Sequence, residues 1–274
     1  MRCFLFYLLV SIAISSSAGT YVQFRTIYGD MDVELYDQDK PLTVQNFLRY
    51  VKTGAYRDTF FHRCEPGFVA QGGGFYTTNR TAQDFHNASA VTNYGTIPNE
   101  FGVGRTFSNT YGTIAMAKIG GDTNSASSQW YFNTANNAFL DANNTNNLFV
   151  VFGKVLRGTN VLNGFNGRSY GNGLVNIGGV FNQLPVTYVG FFYPYFSELI
   201  YVDISLLNVQ VKLSNSVPEI SWNSVNGKTN QVQFTTNFPP VWQTLVNTNG
   251  TGETIKVLDN SPKTTPRFYR VVID

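Results

Sequence analysis

The chain is 274 residues long, enough for one large domain or two ordinary ones. It is 43% hydrophobic, 15% aromatic and only 13% charged, with 25 glycines, a balance that excludes coiled coil, collagen and disorder and favours many short strands joined by turns. A net charge of +2, without a run of like charge, gives neither a nucleic-acid footprint nor a polybasic membrane patch.

Met1 to Ala18 reads as a secretory signal, with Arg2 as the positive start, an apolar stretch from Phe4 to Ile14, and Ser16-Ser17-Ala18 as the small-residue cleavage site. That stretch is shorter than the roughly 20 apolar residues a membrane span needs. The expectation is an exported protein, periplasmic or extracellular, with no integral membrane segment once the signal is removed. Cys3 leaves with the signal, so Cys64 is the one cysteine of the mature chain and no intrachain disulfide is expected. Cys64 lies two positions from His62, but that spacing alone makes no thiol–base pair, and a small space-filling residue is the better reading.

Val22 and Phe24, then Gly29-Asp30, then Met31, Val33 and Leu35 alternating with Asp32 and Glu34, predict a hairpin with one buried face. Pro41 starts a helix whose apolar face is Val44, Phe47, Leu48 and Val51, and Gly54 ends it. Short apolar runs at 59–62, 68–71, 113–117, 129–133 and 149–155 predict strands of one sheet. Val161, Leu162 and Phe165 predict a second helix, and 199–211 an alternating closing strand. The order is α+β and mainly β, which points to a closed barrel with helices over its ends. Asn, Ser and Pro then interrupt the pattern near 214–218, and the remaining strands, with turns such as Asn226-Gly227 and Asn249-Gly250, predict a small antiparallel β module. The expected division is signal peptide 1–18, catalytic or binding domain 19–213, and β module 214–274.

Phe61-His62-Arg63, followed after four residues by Phe68-Val69-Ala70-Gln71-Gly72-Gly73, resembles the signature of the cyclophilins. The resemblance continues through Asn99-Glu100-Phe101, 112–117, 125–129, Phe139-Leu140-Asp141 and 150–155, in order from Tyr21 to Val211. It implies a closed eight-stranded antiparallel barrel capped by two helices, and peptidyl-prolyl cis-trans isomerase activity. The C-terminal module lies outside it; the ending Arg267-Phe268-Tyr269-Arg270-Val271 resembles immunoglobulin-like or fibronectin-like, sandwich-like modules.

The chemistry needs no nucleophile. An X-Pro bond turns over tens to hundreds of seconds because amide resonance sets a barrier of roughly 20 kcal/mol. An enzyme can lower that barrier by gripping the proline ring and aiming a fixed cation where the twisted amide differs from the planar one. By resemblance Arg63 is that cation, Gln71 bonds substrate backbone and steadies Arg63, and Phe68, Val69, Tyr131 and Leu140 line the proline pocket. The resemblance also gives Ala117 the task of presenting backbone to the peptide, His62 that of supporting a substrate contact, and Phe139 and Phe149 that of forming the outer wall. Three departures stand out: Tyr131 where the family commonly has Phe, Phe139 and Phe149 where Trp and His are frequent, and an Asn-rich insertion at 143–147. The hydroxyl of Tyr131 must find a partner or water near the proline ring.

Two histidines, His62 and His86, and one mature cysteine make a metal site unexpected, and neither a Gly-x-Ser-x-Gly elbow nor a phosphate-binding loop occurs. No cofactor is expected. The expected partners are proline-containing peptides and exported proteins that are unfolded or still folding, with no nucleic acid, and the expected state is a monomer. The alternative is a non-catalytic module that binds proline peptides and is attached through its C-terminal domain.

Overall fold

The computed structural model describes residues 19–78, 88–141, 148–187, 194–207, 209–224, 229–237, 239–251, 253–261 and 265–273. The signal sequence, His86, Asn226-Gly227 and the Asn-rich insertion lie outside the described residues. No helix among them is long and apolar enough to cross a membrane.

The expected hairpin is β1 (Tyr21–Thr26) and β2 (Gly29–Leu35), paired Thr26 to Gly29 across its turn. Gly29 takes a φ of 123°, which the tight connection requires of a residue without a Cβ. Helix α1 (Pro41–Lys52) follows, with Pro41 in its first turn and Val44, Phe47 and Leu48 buried. The first-turn N–H groups of a helix have no partner within it. Here the Glu100 carboxylate accepts those of Leu42 and Thr43, at 3.0 and 2.7 Å, so the Asn99-Glu100-Phe101 motif closes the start of α1 from far along the chain.

Strands β3 (Arg63–Glu65), β4 (Val69–Gly72), β7 (Thr113–Met116), β8 (Trp130–Asn133) and β9 (Val151–Arg157) complete most of the main sheet, and β5 (Phe75–Tyr76) pairs with β6 (Ser89–Ala90) as a small side hairpin. Helix α2 (Asn160–Asn166) buries Val161, Leu162 and Phe165 as its spacing predicts. A three-stranded patch follows, β10 (Ser169–Tyr170), β11 (Gly173–Val175) and β12 (Leu184–Pro185). Strand β13 (Asp203–Leu207) then pairs back onto β1.

The strand order is β13-β1-β2-β9-β7-β8-β4-β3, an eight-stranded curled sheet that is open where a closed barrel was expected. The edges β3 and β13 do not pair. Strand β3 is three residues long, and the connecting chain occupies the seam beside it: Cys64 donates to the Gln183 carbonyl at 2.8 Å, Phe61 to Ile200 at 3.0 Å, and Val202 to Thr59 at 3.0 Å. Single backbone bonds thus satisfy the edge without a ladder.

The closing strand also differs from its predicted span of 199–211. Its pairing with β1 ends at Leu207, and β14 (Val209–Ser214) pairs instead with β15 (Val217–Asn223), Val209 opposite Trp222. Two three-stranded antiparallel sheets form here: β14-β15-β18, with β18 at Thr254–Leu258, and β17-β16-β19, with β16 at Thr229–Thr235, β17 at Gln243–Asn249 and β19 at Phe268–Ile273. Their shared core is Ile220, Trp222 and Val232, and Leu207 of β13 packs against it. This arrangement is compatible with the expected small β module. Buried Asp259 ties its end together by accepting from Tyr269 Oη at 2.7 Å, Arg267 Nη1 at 2.8 Å and Ser261 N–H at 3.0 Å.

Candidate active site

Antiparallel register places directly opposed residues on one face of a sheet. Across β3, β4, β8, β7 and β9, one row reads Cys64, Ala70, Phe132, Ile114 and Gly153. The first four belong to the main core, with Phe24, Phe47, Trp130 and Phe152. The next row, on the opposite face because side chains alternate, reads Arg63, Gln71, Tyr131, Ala115 and Val151. Residues spread from position 63 to position 151 of the sequence are therefore one line across the outer face of the sheet.

An apolar patch surrounds that line. Val69, Ala115, Tyr131, Leu140 and Val151 are buried together, with Phe68, Phe107, Ala117 and Phe149 half-buried around them. Phe139 stacks on Phe68 at 5.6 Å and is 58% exposed, so it forms an outer rim. Phe149 meets Tyr131 edge-on at 6.0 Å, and the Lys118 ammonium lies 4.4 Å from the centre of the Phe149 ring. The structure thus brings Arg63, Gln71, Phe68, Val69, Ala117, Tyr131, Phe139, Leu140 and Phe149 to one surface. Ala117 donates its N–H to the Gln129 carbonyl at 2.9 Å, so that donor is already used by the sheet.

One expectation is corrected by the side-chain bonds. Gln71 does not steady Arg63: its Nε2 donates to Gln129 Oε1 at 2.7 Å. Arg63 instead donates from Nε to Gln183 Oε1 at 3.0 Å, pairs with the Glu65 carboxylate, and lies 5.9 Å from the Phe68 ring centre. His62 is not part of the apolar patch. It is 3% exposed, edge-on to Phe75, and hydrogen-bonded to Gln129, through which it touches Gln71. Burial lowers its pKa to about 4, a hydrogen bond with Gln129 pulling the other way and the Arg63 charge adding to the fall, so its imidazole is neutral at pH 7.

The Tyr131 hydroxyl finds its partner in a buried amide network. It donates to Asn109 Oδ1 at 2.8 Å, which also accepts from Asn133 Nδ2 at 3.0 Å, while Asn109 Nδ2 reaches Asp141 Oδ1 at 2.7 Å and the Phe149 carbonyl at 3.1 Å. Asn137 then joins Asn133 Oδ1 to the Phe68 carbonyl, each at 2.8 Å. One network therefore anchors the floor and walls of the patch, and burial holds the Tyr131 hydroxyl un-ionised by raising its pKa well above the usual value. Asn109, Asn133, Asn137, Gln129, Glu65 and Gln183 were not among the sequence candidates. The hydroxyl of Tyr131, which needed a partner or water, was the one signal in the sequence that pointed toward this network.

The glycine run after Gln71 also has a packing cause. A Cβ at Gly72 would lie 2.5 Å from the Trp130 ring, and Gly73 has a φ of 73°. Trp130 needs both positions bare.

A family model described as cyclophilin type peptidyl-prolyl cis-trans isomerase/CLD matches residues 21–176, which contain every one of these outer-face residues except Gln183. The chain belongs to the cyclophilin-type peptidyl-prolyl cis-trans isomerases. Curated cyclophilin relatives include the peptidyl-prolyl cis-trans isomerase of Acinetobacter baylyi, 39% identical over 151 residues, which cover 55% of this chain and 74% of that one. Peptidyl-prolyl cis-trans isomerase A of Dickeya dadantii is 38% identical over 151 residues, covering 55% and 73%. Isomerase B of Escherichia coli is 33% identical over 153 residues, covering 55% and 86%. Among solved structures, a Cryptosporidium parvum cyclophilin-type isomerase determined in the presence of the dipeptide Ala-Pro aligns with a TM-score of 0.46 and 22% identity, over 68% of this chain and 98% of that chain. The module from β14 onward lies beyond the residues the cyclophilin family model matches.

Proposed function

We propose that this isomerase turns X-Pro bonds of exported proteins, and so assists their folding, by seating the proline ring on the patch of Phe68, Val69, Tyr131 and Leu140 while Arg63 stabilises the twisted amide. The observation that carries the reading is the row Arg63, Gln71, Tyr131, which sets a cation and an amide beside a buried apolar floor on one face of the sheet. The cation is bonded in place before substrate arrives, which is the condition for electrostatic stabilisation without reorganisation. The Gln71 carboxamide is the group that bonds peptide backbone, and Phe139 and Phe149 contact the flanking residues.

NMR exchange or protease-coupled isomerisation of a short Ala-Pro peptide tests the reading. Arg63→Ala is expected to lower kcat/KM by about a hundredfold, the scale of losing one preorganised electrostatic donor, with little change in Tm. An Arg63→Ala protein that keeps wild-type catalysis sinks the assignment; an inactive wild type that still binds the peptide makes the patch a proline-recognition surface. Export rests on the pattern from Met1 to Ala18. N-terminal sequencing of the protein recovered outside the cytoplasm checks it, with Gly19 the expected first residue and an intact Met1 the contrary result.

A further inference from the structure

We propose that Glu65 and Gln183 are the positioning residues of Arg63, jointly fixing the plane of its guanidinium, a task that Gln71 does not perform in this chain. The inference rests on the reading of Arg63 as the catalytic cation. Gln183 Oε1 accepts from Nε at 3.0 Å, and the Glu65 carboxylate takes Nη2. A planar fork with two of its donors held at different corners cannot swing or rotate, whereas one bond would leave it a hinge. Phe68 flanks the guanidinium as well, its ring centre 5.9 Å from Cζ.

The two partners come from unlike places. Glu65 is on the same short strand as Arg63, two positions on, and therefore on the same face. Gln183 lies beyond residue 176, where the family match ends, in the connection that fills the seam of the sheet. Its backbone carbonyl accepts from Cys64 N–H at 2.8 Å, so its main chain is registered to β3 one residue from Arg63. Backbone register delivers the side chain. Gln71, opposite Arg63 in the ladder, donates from Nε2 to Gln129 Oε1 at 2.7 Å instead. The Arg63 side chain is 29% exposed, so the pairing does not bury the residue away from a peptide.

The test measures Glu65→Ala, Glu65→Gln, Gln183→Ala and Arg63→Ala beside the wild type, with an Ala-Pro peptide as substrate. Kinetics separate kcat from KM, and NMR follows exchange of the Arg63 Nε–H with water. Glu65→Ala and Gln183→Ala are each expected to lower kcat about fivefold with KM within about twofold, the scale of losing one hydrogen bond to a charged group at a half-exposed site. Gln183→Ala is also expected to speed Nε–H exchange about tenfold, since a free donor exchanges faster. Glu65→Gln keeps an acceptor oxygen and is expected to recover much of the loss. Unchanged Tm values show that the fold is intact, because the Gln183 backbone bond survives truncation of its side chain. Wild-type kcat and wild-type Nε–H exchange in both truncations, with Arg63→Ala inactive, overturn the clamp alone. Catalysis surviving in Arg63→Ala overturns the underlying assignment of Arg63 instead.

Discussion

Cys64, Ala70, Phe132 and Ile114 on the inner face of the sheet form one apolar cluster under α1 and α2, while Arg63, Gln71 and Tyr131, their immediate neighbours in sequence, each hold a side-chain hydrogen bond on the outer face. Both faces are rich in aromatic residues, and composition does not tell them apart. Rings meet rings on both faces, Phe24 with Trp130 at 5.1 Å and Phe132 at 5.0 Å inside and Phe68 with Phe139 at 5.6 Å outside, but the outer face adds an amide network in which Asn109 and Asn137 fix Tyr131 and the Phe68 backbone. A binding surface must keep its shape with one side open to water, and hydrogen bonds to buried amides do this where packing from above is missing.

Truncating one ring from each face breaks the comparison most sharply. Phe132→Ala is expected to cost about 3 to 5 kcal/mol of stability, since the ring is fully buried and its cavity cannot collapse against a ladder. Phe139→Ala, at the exposed rim, is expected to cost under about 0.5 kcal/mol in denaturant unfolding while weakening peptide binding. Equal losses from the two would show that the outer patch is core.

His62 sharpens the contrast by a smaller effect, because it is buried yet ionisable. Its folded pKa of about 4 lies below the 6.5 of an unfolded histidine, so the unfolded state binds the extra proton between those values. Stability at neutral pH is therefore retained above about 6.5 and falls as pH drops through that window, by up to about 3 kcal/mol. His62→Gln is expected to flatten this part of the Tm profile. An unchanged slope in the variant would assign the acid sensitivity to other groups.

The hairpin, both helices and most sheet strands were legible in the sequence because periodicity and turn residues are local, as Gly29 and Pro41 show. The site was legible through its motif, and the ladder then explained why Arg63, Gln71 and Tyr131 belong together. The reading failed where long-range pairing decides. Val209, Val211 and Leu213 alternate as a continuing barrel strand would, but they pair into the β module, a choice made by the Asn215-Ser216 turn and the partner strand. The open seam was hidden for a similar reason, since nothing local in 59–65 says that Gln183 and Ile200 will meet it. The amide network joins the end of β8 at Asn133 to Asn109, Asn137 and Asp141 on the connections around it, which leave no periodic trace.

The seam has a consequence for the order of events during synthesis. The strand carrying Arg63 emerges early, yet the Cys64 N–H on its free edge and the Phe61 N–H just before it are met by the carbonyls of Gln183 and Ile200, made more than a hundred residues later. Pairings of that separation form late, because the intervening chain must first be closed into a loop. A nascent chain ending before Gln183 holds the apolar floor of the site but only one of the two bonds proposed to orient Arg63, so on that proposal full activity waits until the open sheet is nearly complete.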